Sequence, residues 1–296
     1  MTIRKFLATV LVVAAVGQTR ADDAYAITVA GLTMFNTATP GTFTTPIAIT
    51  GLNVGHSLRS IDFRPANGQL YGMSINLNSL TESQLYTIDL TTAVATPVGG
   101  TITLTGNTSD ISIDFNPVVD RLRVVGFADQ NYRVNPITGT LVLQDTNITP
   151  STATVVAIAY DNNFAGATST TLYGYEFQTD TLVRIGSAGG TPNSPNGGVL
   201  ETIGGTGGPS AFDGFVSFDI GTTGNAFVSL DDAVSPTAAS EFYSVDLATG
   251  ALTLIDDEVF QILDFALVPV PEPATLTLTG VAIVGAIAGL RRRNRA

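Results

Sequence analysis

One histidine, no cysteine and a recurring aspartate are the chemical resources of this 296-residue chain. His56 lies in Gly55-His56-Ser57, which reads as a loop. A Ser-His-Asp site would need it, yet no Gly-x-Ser-x-Gly elbow accompanies it, so a structural or solvated histidine is expected. A single histidine without cysteine nearly excludes the common zinc sites, and it rules out disulfides and thiol chemistry. Carboxylates remain. Asp62, Asp114 and Asp264 hold equivalent places in copies of an apolar-Asp-Phe tripeptide. On strands around a common axis they would face one channel together, where they could hold a cation such as calcium or act as an acid/base pair. The favoured reading is that each Asp bonds its own following turn, as in Asp62-Phe63-Arg64-Pro65 and Asp114-Phe115-Asn116-Pro117, because repetition suits a turn-setting role. Asp161-Asn162-Asn163 and Asp231-Asp232 offer oxygen ligands without EF-hand spacing. Asp120-Arg121 and Arg123 read as surface ion pairs. Gly204-Gly205-Thr206-Gly207-Gly208 reads as a loop, since no Lys-Ser/Thr follows it. No catalytic residue is assigned.

The elements that would position these residues are repeats. An apolar-x-aromatic half-pattern recurs at Ile61-Asp62-Phe63, Ile113-Asp114-Phe115, Ile158-Ala159-Tyr160, Val216-Ser217-Phe218 and Leu263-Asp264-Phe265. A second half, an alternating strand ending in Asp, Asn or Glu, recurs at Thr33-Met34-Phe35-Asn36, Tyr86-Thr87-Ile88-Asp89, Tyr132-Arg133-Val134-Asn135, Tyr173-Gly174-Tyr175-Glu176 and Tyr243-Ser244-Val245-Asp246. Short alternating stretches between Gly, Pro, Asn and Asp indicate an all-β chain. Several strands per repeat of roughly fifty residues indicate a propeller. The chain starts with a second half and ends with a first half. A five-bladed ring is therefore predicted, six blades being the alternative, with Ile262 to Val268 supplying the inner strand of a composite blade completed by Ile27 to Thr50. Joining the two ends removes two free strand edges.

The body resembles a secreted bacterial family known as domain of unknown function 4394. The resemblance rests on Ile61-Asp62-Phe63-Arg64-Pro65-Ala66-Asn67-Gly68-Gln69-Leu70-Tyr71, on Asp114-Phe115-Asn116-Pro117-Val118-Val119-Asp120-Arg121-Leu122-Arg123-Val124, on Asn131-Tyr132-Arg133-Val134-Asn135-Pro136 and on the stretch from Asn162 to Tyr173. It implies a propeller-like fold and pairing with surface-sorting tails, and it brings no catalytic residues.

Both ends read as targeting segments. Arg4 and Lys5 precede an apolar run from Phe6 to Val16, the order of a secretion signal, with cleavage expected at Ala24-Tyr25-Ala26 and Ala21 as the competitor. The alternative is a buried N-terminal strand. On this reading residues 1–26 are leader, 27–268 the propeller domain and 269–296 the tail. In the tail, Val270-Pro271-Glu272-Pro273 is followed by an uncharged run over 274–290, just long enough for a spanning helix. Arg291, Arg292, Arg293 and Arg295 then mark a cytoplasmic end. This order resembles the PEP-CTERM sorting signal of Gram-negative bacteria, which implies processing by an exosortase and a cell-surface or matrix destination. A plain membrane anchor is the alternative.

Residues 27–273 carry six arginines, no lysine and 23 acids, a formal charge of −17. That balance argues against nucleic acid or anionic lipid as a partner. Two functions stay open: a non-catalytic surface protein binding extracellular polysaccharide or protein, and a propeller-type glycan hydrolase or lyase. The second needs carboxylates converging beside an open groove.

Overall fold

The computed structural model describes residues 21–106, 110–209, 215–231 and 239–270. Most of the leader, the sorting motif from Pro271 onward, the helix expected over 274–290, the arginine tail and Asp232 lie outside the described residues.

The strands, in chain order, are β1 (Asp23–Thr28), β2 (Gly31–Asn36), β3 (Thr39–Phe43), β4 (His56–Phe63), β5 (Leu70–Asn76), β6 (Ser79–Ile88), β7 (Ala95–Thr103), β8 (Ile111–Asn116), β9 (Arg121–Gly126), β10 (Asn131–Val134), β11 (Leu141–Gln144), β12 (Val155–Tyr160), β13 (Leu172–Glu176), β14 (Thr181–Ile185), β15 (Leu200–Gly205), β16 (Val216–Ile220), β17 (Ala226–Asp231), β18 (Ala239–Val245), β19 (Leu252–Phe260) and β20 (Asp264–Leu267). They form five four-stranded sheets: β4 to β7, β8 to β11, β12 to β15, β16 to β19, and a composite sheet ordered β20-β1-β2-β3. Successive inner strands pack on one another, β4 on β8, β8 on β12, β12 on β16, β16 on β20 and β20 on β4, so the ring closes with five blades.

Closure differs from the expectation in its register. β20 pairs antiparallel with β1 through Ala24 with Leu267, Tyr25 with Ala266, Ala26 with Phe265 and Ile27 with Asp264. The joining strand thus begins before Ile27, and the domain boundary expected there falls inside it. Ala24 and Ala26, the small residues of the expected cleavage site, are both 0% exposed.

The inner strands lose the buried-exposed alternation of a half-exposed sheet because both faces are covered; every residue of β16 and β20 is buried. The outer strand β11 is exposed throughout. The core lies between blades. Tyr71, Met73 and Leu85 of the first blade pack with Ile113, Phe115 and Leu122 of the second. At the closing seam Phe35 and Phe265 meet Phe242 edge-on or tilted, with centroids 5.4 Å and 5.3 Å away, an arrangement that suits the ring quadrupoles.

Turns also lock neighbouring blades. Gly139 sits at φ +65° in the turn after β10, and a side chain there would meet the Val98 carbonyl of the first blade at 1.8 Å. Only glycine permits both that conformation and that approach. Arg64, in the turn after β4, is ion-paired with Asp120, in the turn after β8, its Nε donating to Oδ1 at 2.8 Å.

Candidate functional site

The axial residues come from the inner strands, and they fall into two tiers. The upper tier is Asp62, Asp114, Ala159, Asp219 and Ala266. These face across their own sheets to Tyr71, Arg123, Tyr173, Phe227 and Tyr25 respectively. The lower tier, two residues earlier on each strand and therefore on the same face, is Ser60, Ser112, Ala157, Ser217 and Asp264.

The tiers are revealed by a hydrogen-bond pattern that runs around the ring. Asp62 Oδ2 accepts from Phe115 N at 2.7 Å, and Asp219 Oδ2 accepts from Leu267 N at 2.6 Å. The carboxylate of Asp114 is likewise bonded by the backbone of Tyr160. One level down, Ser60 Oγ accepts from Ile113 N and Ser112 Oγ from Ile158 N, both at 3.0 Å. Asp264 does the work of a lower-tier serine, its Oδ2 accepting from Ile61 N at 2.8 Å and from the Ser60 hydroxyl at 2.6 Å. Each of these groups holds the inner strand of the next blade. Asp62 and Asp264 also interact with the backbone of their own following residues, Phe63 and Phe265, so the bonds to the neighbouring blade add to the local role expected of them.

The predicted trio is corrected. Asp62 and Asp114 come together, but their third member is Asp219 rather than Asp264. One carboxylate oxygen from each of Asp62, Asp114 and Asp219 lies within 4.8 Å of the others. All three residues are buried, at 2%, 1% and 3% exposure. Asp62 Oδ1 and Asp114 Oδ1 have no hydrogen-bond partner, nor does the hydroxyl of Ser217 just below Asp219. Burial first, and then the charge of Asp219, holds the Asp62 carboxyl well above the usual carboxylate range. Asp114 is raised by burial and next by Asp62. Burial pushes Asp219 up to about 7 and Asp264 up to about 8. These directions follow from removing carboxylates from water and placing like charges side by side.

His56 opens β4 rather than lying in a loop. Its Nδ1 is 2.8 Å from Ser74 Oγ and its Nε2 is 3.1 Å from Glu82 Oε1. The residue types are those of a hydrolytic relay, but the arrangement is inverted. Ser74 is 0% exposed and its hydroxyl also reaches the Gln84 carbonyl at 3.4 Å, whereas the Glu82 side chain is 39% exposed. A nucleophile must meet substrate while the carboxylate sits behind the imidazole; here the serine is the inaccessible member.

Arg123 is a buried ion pair, not a surface one. It donates from Nη1 to Asp145 Oδ2 at 2.6 Å and to Asn131 Oδ1 at 2.7 Å, and from Nη2 to Asn196 Oδ1 at 2.7 Å. Its Nε reaches the Tyr160 hydroxyl of the third blade at 3.3 Å. Asp161 accepts from its own loop, taking Thr171 N at 2.6 Å, and Asp231 takes an amide proton of Gln261 at 2.7 Å. Gly204 and Gly205 belong to β15 and only the following residues form the loop.

Two surface depressions flank the composite blade. A cavity of about 500 Å³ is lined by Val29, Ile49, Arg59, Phe215 and Gln261 among others, with the Arg59 guanidinium 5.9 Å from the centre of the Phe215 ring. A more apolar groove of about 540 Å³ at the seam is lined by Val29, Phe43, Pro46 and Phe260 among others.

No curated protein matches the chain. Among solved structures, one described as "Structure of Dos1 propeller" is similar at 13% identity and a TM-score of 0.40, over 79% of this chain and 58% of that one. The family model described as "Domain of unknown function (DUF4394)" matches residues 31–265, most of the ring, and the chain belongs to that family.

Proposed function

We propose that this protein is an exported, non-catalytic propeller, sorted by an exosortase to the cell surface or matrix, where it binds extracellular polysaccharide or protein. The observation that carries the non-catalytic reading is the fate of the polar groups. The axial carboxylates hold neighbouring strands and are buried, and the Ser74-His56-Glu82 chain turns its serine inward. A glycosidase pair needs two carboxylates flanking a bond in an open groove, and the depressions beside Phe215 and Phe260 carry no carboxylate among the described residues; they are lined by apolar, hydroxyl, amide and guanidinium groups and by His56, whose side chain is 1% exposed.

The export reading rests on the leader and tail patterns. Cleavage after Ala21, in Thr19-Arg20-Ala21, leaves β1 whole, so that site is favoured over Ala26. Residues 22–273 then carry six arginines and 25 acids, a formal charge of −19, which favours solubility outside the cell and makes polymer contact sensitive to salt. Mass spectrometry of the protein from its native host, with surface fractionation, tests this. The expected mature chain starts at Asp22 and ends near Pro271 to Pro273 in the surface or matrix fraction. A chain intact from Met1 to Ala296 in the cytoplasm overturns the reading.

A further inference from the structure

We propose that the upper axial tier is a calcium site, with Asp62, Asp114 and Asp219 as its carboxylate ligands. Four observations converge on it. The three carboxylate oxygens lie within 4.8 Å of one another. Calcium binds oxygen at about 2.3–2.6 Å, so the ligands of one ion stand up to about 4.6–5.2 Å apart. Three oxygens no more than 4.8 Å apart can be gathered onto one calcium ion by small side-chain shifts.

Second, two carboxylate oxygens, Asp62 Oδ1 and Asp114 Oδ1, are buried without a hydrogen-bond partner, which is costly unless something fills the place. Third, the unpartnered oxygens are not all acidic. Ser217 is 1% exposed and its hydroxyl lacks a partner, whereas the equivalent Ser60 and Ser112 hydroxyls accept strand amides. Ser217 lies on the same strand face as Asp219, one tier below the acids, so its hydroxyl stands on the axial side of the ring. Fourth, the tier is asymmetric: its two other positions are Ala159 and Ala266, which add no fourth or fifth charge to the acids. Phe115 N, Leu267 N and Ile220 N each donate to these carboxylates and offset the one negative charge left by three acids around a divalent ion. All ligands being hard oxygens matches calcium rather than a softer metal.

The competing occupant is a set of protons shared among the three acids. Because the site is enclosed, the full chain is unfolded in urea and refolded either with calcium or with EGTA. The expected result is one calcium per chain by elemental analysis. The melting temperature should be higher by about 5–10 °C when calcium is at a hundredfold excess over its Kd. Asp219→Asn keeps the acceptor for Leu267 N but removes a charge. It should weaken calcium binding at least about tenfold and abolish most of the thermal difference. Asp246→Asn, in an exposed turn, should change neither. The proposal is overturned if the wild-type chain refolds free of calcium, with the same melting temperature in calcium and in EGTA, or if magnesium reproduces the whole effect. Should Asp219→Asn not fold, the wild-type comparison decides on its own.

Discussion

A chain that begins at Ile27 is expected to lose its cooperative fold, while one that begins at Asp22 keeps it. The five residues between them are few, but their position in the ring is decisive. β1 lies between β20 and β2, so removing Asp22 to Ala26 leaves β20 with only Ile27 of its four register partners. The Val268 N–H loses the Asp23 carbonyl, and Thr37 N loses that of Asp22. The Asp22 carboxylate also accepts from Asn225 Nδ2 at 3.0 Å, tying the chain start to the fourth blade. Two fully buried alanines vanish from the seam cluster that contains Phe35, Phe242 and Phe265. An unanchored β20 opens the ring between β16 and β4 and exposes two strand edges at once. Urea unfolding followed by circular dichroism should give a single steep transition for the Asp22 chain and none, or an aggregating product, for the Ile27 chain. Equal midpoints would mean that the ring closes without β1.

The architecture was legible because its signal repeats. Each inner strand carries apolar residues at alternate positions, several hairpins carry an aspartate or asparagine turn, and the half-pattern at each end has one natural partner. The tiers were not legible, and the reason is the two-residue period of a strand. Positions i and i+2 face the same way, so a slip of two residues leaves every apolar side chain on its correct face. Aligning Phe218 with Phe63 put Ser217 in the place of Asp62 and hid Asp219. Aligning Phe265 with Phe63 put Asp264 one tier too high. A frame keyed on Ser-x-Asp, shared by Ser60-Ile61-Asp62, Ser112-Ile113-Asp114 and Ser217-Phe218-Asp219, would have found the three carboxylates. Ser74 and Glu82 carry no such signal, because they meet His56 only when β4, β5 and β6 pair.

Asp145 was equally invisible, and its removal is the side-chain change expected to cost most. It follows β11, 12 residues from Arg133 and 22 from Arg123. Its Oδ2 accepts from both Arg123 Nη1 and Arg133 Nε, and its Oδ1 from Arg133 Nη2 at 2.7 Å. The Arg123 and Asp145 side chains are 3% and 2% exposed. Truncation to alanine leaves a buried guanidinium facing a second, partly exposed one with no anion between them. Breaking a buried pair this way costs about 3–5 kcal/mol, since the remaining charge keeps its desolvation penalty without its partner. Asn131, Asn196 and Tyr160 still meet Arg123, which places Asp145→Ala toward the lower end of that range, and a loss of about 3 kcal/mol lowers the melting temperature by roughly 6–12 °C in a domain of this size. Asp145→Asn should fall between, retaining an acceptor but not the charge. The comparison is Glu201→Ala, which breaks the pair with Arg184 at 2.9 Å where the side chains are 51% and 25% exposed; solvent screens that pair, and its loss should cost no more than about 1 kcal/mol. Urea midpoints at unchanged m-value measure both variants. If Asp145→Ala proved no more destabilising than Glu201→Ala, the Arg123 network would not be the clamp between second and third blades, and the interblade contact would rest on the axial bonds of Ser112 and Asp114 and on apolar packing of Val125 and Ile148 against Ile158, Tyr160 and Leu172.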